Sequence, residues 1–133
     1  MLTHAAALRV LIVDDEPLLR WALCETLVAA GMDVLQAASA DAATQTLSSD
    51  PEGIDVVLLD YLLQDANEVR LLDAVKRIAP ELPVAVMSAF WNPDTMRDAL
   101  AAGADRIVGK PLEMHEVPTL LRAMVPGPTL EGQ

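Results

Sequence analysis

The sequence is poor in the residues that several classes of protein need. A single cysteine, Cys24, excludes an internal disulfide and any metal site built from cysteines. Aromatic residues make up only 3% of the chain, so a core must be packed from leucine, valine, isoleucine and alanine. Only 9 lysines and arginines stand against 20 aspartates and glutamates. The resulting net charge of −11 argues against direct binding of nucleic acid by this chain.

Long apolar runs are also absent. No stretch of about 20 apolar residues occurs, so the sequence predicts no helix that spans a membrane. The first residues have no basic segment ahead of their apolar stretch, so they do not have the pattern of a secretory signal. We therefore expect a reduced, cytoplasmic location. The 133 residues, of which 53% are apolar, suffice for one hydrophobic core and one domain.

Five short apolar runs alternate with five longer segments of helical periodicity. The predicted strands are Arg9–Val13, Met32–Ala37, Asp55–Leu59, Val84–Met87 and Arg106–Val108. The predicted helices are Pro17–Ala30, Asp41–Ser48, Glu68–Ala79, Pro93–Ala102 and Glu113–Met124. The first, third and fourth runs are continuous, which is typical of strands buried on both faces. The alternation predicts an α/β fold of the (βα)5 kind, a doubly wound, open, five-stranded parallel sheet with helices on both faces.

The boundaries of this domain follow from the same pattern. We expect an N-terminal extension over residues 1–7, the domain over 8–125 and a disordered tail over 126–133. Pro118 lies inside the last predicted helix. It indicates either that the helix starts near Val117 or that one early hydrogen bond is lost.

Polar side chains follow the strands that such a sheet would bury. They are, in order along the chain, Asp14, Asp15, Asp60, Ser88 and Lys110. Ligands of open α/β sheets bind beyond the carboxyl ends of the strands, so these side chains should meet at one rim. Crowded carboxylates raise one another's pKa, and a hard cation such as Mg2+ would relieve that repulsion. Asp60 could then attack phosphorus, while the cation, Lys110 and the Ser88 hydroxyl neutralise the phosphoryl oxygens.

Each of these residues also has a plainer interpretation. Asp15 could cap the helix that begins at Pro17. Lys110 could be an ordinary surface lysine, and Ser88 could be simple polarity at a strand end. Helix capping does not explain two adjacent aspartates together with Asp60, so the joint pattern favours the phosphoryl-transfer site.

The same residues resemble a known protein family. The stretches LIVDDEP, VVLLDYLL, VMSA and GKP are similar to the receiver domain of bacterial two-component response regulators. The resemblance runs from about Leu8 to about Met124, and DDEPLLRWAL is most similar to receivers of the nitrogen-regulatory type. It implies a flavodoxin-like sheet with strand order 2-1-3-4-5.

The resemblance implies a role for each residue at the rim. Asp60 would be the phosphoacceptor and a metal ligand, Asp15 a direct Mg2+ ligand, and Asp14 a ligand through water. The backbone carbonyl of Leu62 would be the third protein ligand of the metal. Ser88 would be the switch hydroxyl.

Lys110 would pair first with Asp60 and then with the phosphate, and the bond from Lys110 to Pro111 is often cis in the family. The resemblance further implies that the domain is a signalling switch and not an enzyme. Its partner would be a histidine kinase or a histidine phosphotransfer protein. A homodimer through helix 4, strand 5 and helix 5 is a further expectation.

Three positions depart from the family pattern. Gln64 stands where the family usually has proline, Glu68 where it has glycine, and Ile107 where it has an aromatic residue. These losses motivate an alternative, a degenerate receiver that acts as a phosphorylation-independent binding scaffold. A second alternative is a phosphatase with an aspartate nucleophile. It is weaker, because such enzymes place an aspartate two residues after the nucleophile, where this chain has Leu62.

Overall fold

A computed structural model describes residues 7–61 and 68–126 of the chain, with only the backbone for residues 68 and 69. The strands are β1 (Arg9–Val13), β2 (Asp33–Ala37), β3 (Val56–Asp60), β4 (Val84–Ser88) and β5 (Arg106–Gly109). The helices are α1 (Pro17–Ala29), α2 (Ala40–Ser49), α3 (Glu68–Ile78), α4 (Pro93–Ala101) and α5 (Val117–Met124). A short 3-10 turn over Met114–Glu116 precedes α5. None of the described helices is long and apolar enough to cross a bilayer.

The strands form one parallel sheet in the order β2-β1-β3-β4-β5. This confirms the predicted fold class and the strand order that the resemblance implied. In register, Val13 lies opposite Leu59 and Asp60 lies opposite Met87. The carboxyl ends of β1, β3 and β4 therefore lie at the same edge of the sheet.

The hydrophobic core consists of two layers, one on each face of the sheet. Side chains of alternate strand residues point to opposite faces, so Leu58 packs in one layer and Leu59 in the other. One layer joins the sheet to α2, α3 and α4, and the second joins it to α1 and α5. Every residue of β3 and β4 is buried, which explains why these two runs are apolar without alternation.

Most element boundaries lie within one or two residues of the prediction, and two of the differences affect the rim. β3 extends to Asp60 and β4 to Ser88, so both polar residues are the last residues of their strands and do not follow them. The parallel ladder continues past each of them: the N–H of Tyr61 donates to the carbonyl of Met87, and that of Lys110 to the carbonyl of Ser88.

The last helix starts at Val117, four residues later than the predicted start at Glu113. Pro118 therefore lies in the first turn, where a missing N–H breaks no helical hydrogen bond. This agrees with one of the two alternatives that Pro118 left open. The extension and the tail remain predictions, since residues 1–6 and 127–133 lie outside the described part of the chain.

Candidate functional site

Three carboxylates converge at the carboxyl edge of the sheet. Asp14 and Asp15 begin the turn after β1, and Asp60 ends the neighbouring strand β3. Each offers one oxygen atom, and these three atoms lie within 4.8 Å of one another. Asp14 and Asp60 are buried, while Asp15 is half-buried. The structure thus brings together the acidic residues that the sequence placed at one rim.

Asp14 is held through nearly all of its polar atoms. Its N–H donates to the carbonyl of Ala37 at 3.1 Å, which continues the pairing of β1 with β2. Its carbonyl accepts a hydrogen bond of 2.7 Å from Nη1 of Arg20. Its Oδ1 accepts one of 2.8 Å from the N–H of Glu16. Only Oδ2 is buried without a hydrogen bond from the described residues.

This environment changes the acidity of Asp14. Its side chain is 0% exposed, and burial away from water is the largest cause that raises its pKa, from 3.8 to about 6. The nearby Asp60 carboxylate raises the pKa further, whereas the N–H of Glu16 and the charge of Lys110 lower it. A buried carboxylate with one unsatisfied oxygen, beside two other carboxylates, is a site that a cation would stabilise.

Lys110 brings a positive charge to these carboxylates. Its Nζ lies 3.4 Å from Oδ2 of Asp60 and 4.0 Å from Oδ2 of Asp14, and its side chain is 19% exposed. The peptide bond between Lys110 and Pro111 is cis, as the resemblance implied. One lysine against three carboxylates leaves the cluster negative, so the donor set suits a hard divalent cation with oxygen ligands.

Ser88 lies on the neighbouring strand, and its hydroxyl oxygen accepts a hydrogen bond from the loop that follows it. Ser88 is buried, and its Oγ accepts a hydrogen bond of 3.0 Å from the N–H of Phe90. Its role as a switch hydroxyl remains a prediction. Leu62, the predicted source of a backbone ligand, lies outside the described residues, as does Gln64.

The sequence of the chain matches the model of one protein family. The model of the response regulator receiver domain matches residues 10–122. The chain belongs to this family. Receiver domains serve as phosphoacceptors in two-component signalling; they bind Mg2+ at an acidic pocket, are phosphorylated by histidine kinases and are generally not enzymes. The assignment to the nitrogen-regulatory subgroup remains a prediction.

Two curated relatives illustrate the match to other receivers. The transcriptional regulatory protein KdpE of Mycobacterium tuberculosis is 36% identical over 116 residues, which cover 87% of this chain and 50% of KdpE. The two-component response regulator ORR1 of Oryza sativa subsp. japonica is 34% identical over 122 residues, covering 84% of this chain and 53% of ORR1. The receiver thus spans about half the length of these curated relatives.

Solved receiver structures share the fold. The chemotaxis protein CheY4 of Vibrio cholerae matches with a TM-score of 0.83 and 23% identity, over 90% of this chain and 100% of CheY4. A response regulator of Burkholderia pseudomallei, solved with a phosphorylated aspartic acid, a calcium ion and citrate, matches with a TM-score of 0.77 and 21% identity. That match covers 90% of this chain and 67% of the other.

The contacts of two side chains at the receiver's rim were not predicted from the sequence. The ring of Trp91 packs on that of Tyr61, with centroids 4.9 Å apart, and its Nε1 donates to the carbonyl of Val108 at 2.9 Å. Arg20 reaches back from α1 to the carbonyl of Asp14. The only sequence signal for Arg20 is its place in the first turns of a helix that directly follows the acidic pair.

Proposed function

We propose that Asp60 is the phosphoacceptor of this receiver, with Asp14 and Asp15 as the metal-binding pair and Lys110 as the cationic partner. The observation that carries the proposal is the position of Lys110. Its Nζ lies within 4.0 Å of both buried aspartates, at the edge where three carboxylate oxygens meet. Asp60 ends a central strand buried on both faces, and this position restricts the direction in which its carboxylate can face.

In the proposed reaction a carboxylate oxygen of Asp60 attacks the phosphorus of a phosphodonor. A new P–O bond forms an acyl phosphate, and the bond from phosphorus to the donor breaks. With a phosphohistidine partner the imidazole nitrogen leaves, and with acetyl phosphate the acetate oxygen leaves. The ammonium of Lys110 is near enough to transfer its ion pair from Asp60 to the new phosphoryl oxygens.

Mg2+ fits the residues that surround this carboxylate. The oxygens of Asp15 and Asp60 would hold it directly, and the unsatisfied Oδ2 of Asp14 would bind it through water. A carbonyl from the segment after Asp60, predicted at Leu62, would complete the protein ligands. The cation would supply neutralisation of the charge on the phosphoryl oxygens. The response regulator of Burkholderia pseudomallei was solved with a phosphorylated aspartic acid and with a calcium ion, which supports the proposal of a phosphorylated aspartate and a bound divalent cation.

We further propose a histidine kinase or a histidine phosphotransfer protein as the phosphodonor of this chain. The exposed face of α1 beside the rim carries Leu18 and Trp21, with 77% and 62% of their surfaces exposed. That apolar face supports α1 as a docking surface for the donor.

We also propose a homodimer through α4, β5 and α5. Met96 and Leu100 on α4 are 40% and 53% exposed, and these exposed apolar side chains support α4 as part of that surface.

The proposal is tested by labelling the chain with acetyl phosphate and Mg2+ and mapping the modified residue by mass spectrometry. We expect one phosphoryl group on Asp60, no labelling of Asp60→Asn, and unchanged labelling of Asp98→Asn, which removes an exposed carboxylate from α4. Omission of Mg2+ should suppress the reaction. Labelling elsewhere, or none in a chain that binds Mg2+, would refute the phosphoacceptor role and favour the scaffold alternative. Continuous turnover of a phosphate ester would instead favour the phosphatase alternative.

A further inference from the structure

Arg20 connects the acidic turn to the edge strand of the sheet. Its Nη1 donates to the carbonyl of Asp14 at 2.7 Å, and its Nε donates to Oε1 of Gln36 on β2 at 3.2 Å. The guanidinium thus holds the backbone carbonyl of one residue of the proposed metal site with one nitrogen, while a second nitrogen is anchored on a strand that carries none of the proposed ligands. Because guanidinium is planar and rigid, the anchor on Gln36 also fixes the direction of the bond to Asp14.

We propose that Arg20 is a positioning residue for the metal site, an inference that rests on the proposed function. Three of the four polar atoms of Asp14 are held by hydrogen bonds, and Arg20 supplies the only one of these that comes from a side chain. With these bonds in place, Oδ2 is the atom left to face Asp60 and Lys110.

The same bond also orients Asp15. The carbonyl of Asp14 and the N–H of Asp15 belong to one planar peptide unit. An arginine that holds the carbonyl therefore also fixes the position of the backbone nitrogen and Cα of Asp15. Carboxylates within 4.8 Å of one another repel, and without a restraint the turn after β1 would relax by moving them apart. Arg20 opposes that relaxation, so the ligands remain close together before a cation binds.

Charge and geometry make opposite predictions for the loss of Arg20. If geometry did not change, removal of a positive charge near a cation site would strengthen the binding of Mg2+. If Arg20 positions Asp14 and Asp15, its removal should weaken that binding. Residues that orient metal ligands typically contribute about 10-fold to 100-fold in affinity, and a contact made through a backbone carbonyl should lie near the lower end of that range.

The test measures the Mg2+ affinity of the 133-residue chain by isothermal titration calorimetry. We expect Arg20→Met to raise the Kd for Mg2+ by about tenfold. Arg20→Lys keeps the charge but lacks the second nitrogen with which the guanidinium reaches Gln36, and should have an intermediate Kd. Arg97→Met, which removes a positive charge from the exposed surface of α4, should leave the Kd unchanged.

A double-mutant cycle with Gln36→Met separates a positioning role from a purely structural one. Gln36→Met alone should raise the Kd modestly, and it should have no further effect in the Arg20→Met background, because its action passes through Arg20. A purely structural role would instead lower the urea midpoint equally with and without Mg2+, leaving the Kd at the wild-type value.

An unchanged or lower Kd in Arg20→Met would overturn the inference while leaving the proposed function standing. Equal effects of Gln36→Met in both backgrounds would also overturn it. If the wild-type chain bound no Mg2+, the proposed function would fail and the inference with it.

Discussion

Replacement of Asp14 by asparagine should stabilise the protein without metal and remove its stabilisation by Mg2+. Asparagine keeps an oxygen that can accept the hydrogen bond from the N–H of Glu16. It replaces the buried, unsatisfied Oδ2 with an amide group that carries no charge and can donate to Asp60. The substitution therefore removes the buried charge and little else.

The magnitude follows from the acidity of Asp14. Its pKa is 3.8 in the unfolded chain and about 6 in the folded protein, where burial is the main cause. Each pKa unit corresponds to about 1.36 kcal/mol, so an ionised Asp14 destabilises the fold by up to about 3 kcal/mol at neutral pH. Since asparagine is not perfectly matched to the site, we expect a gain of about 1–3 kcal/mol in the free energy of unfolding.

The size of this effect depends on pH. Below the unfolded pKa of 3.8 the carboxyl group is protonated in both states, and the penalty vanishes. Between 3.8 and about 6 the unfolded chain ionises first, so the stability of the wild type falls as pH rises. Above about 6 the full penalty is present, and the advantage of Asp14→Asn should be largest there.

The assay is urea unfolding in EDTA at about pH 4 and about pH 7.5, repeated at the higher pH with saturating Mg2+. Asp98→Asn serves as the control, since it removes an exposed carboxylate and should change stability by less than about 0.5 kcal/mol. With Mg2+ the order should reverse, because the wild type gains stability from binding and the variant loses a ligand. A variant that is less stable than the wild type in EDTA at about pH 7.5, or a gain independent of pH, would refute this reasoning.

Two further predictions concern stability away from the site. In the capping box of α4, Oδ1 of Asn92 accepts from the N–H of Thr95 and the Thr95 hydroxyl accepts from the N–H of Asn92. Asn92→Ala should lower the free energy of unfolding by about 1 kcal/mol in urea titrations and Asn92→Ser by much less; equal losses would contradict the cap. Oδ2 of Asp105 accepts from Nζ of Lys76 at 2.7 Å and from the N–H of Val84 at 2.8 Å. Asp105→Ala should lower stability by about 1–2 kcal/mol and the isosteric Asp105→Asn by less, whereas no loss in either would show that water replaces both contacts.

The arrangement of strands and helices along the chain could be predicted because buried strands require apolar residues, which form a recognisable pattern in the sequence. β3 and β4 are buried on both faces, so their apolar residues form unbroken runs that locate the central strands. The polar residues that interrupt these runs, Asp60 and Ser88, could be assigned to the carboxyl edge for the same reason. The predicted ends of β3 and β4 were one residue too early. Backbone hydrogen bonding between the strands continues past a polar side chain as readily as past an apolar one, so the side-chain pattern does not mark the last residue of a strand.

The contacts of the site could not be read from such a pattern. The contacts of the Ser88 hydroxyl depend on side-chain rotation at the strand end, and in the structure its oxygen accepts a hydrogen bond from the N–H of Phe90. Trp91 bonds to the carbonyl of Val108 and packs on Tyr61, which requires the loop after β4 to fold over the edge strand β5. Both outcomes are set by packing between segments that are distant in the sequence.

The sequence by itself determined which chemistry is present: the acidic pair Asp14 and Asp15, Asp60, Lys110 and the alternation of strands and helices that delivers them to one edge. These follow from composition and periodicity, which depend on each residue and its near neighbours. Only the tertiary structure decided how these side chains are buried and which hydrogen bonds and charges surround them. The orphaned Oδ2 of Asp14, its raised pKa and the bond from Arg20 exist because packing of α1 and of the neighbouring parallel strands brings groups from separate elements into one buried volume.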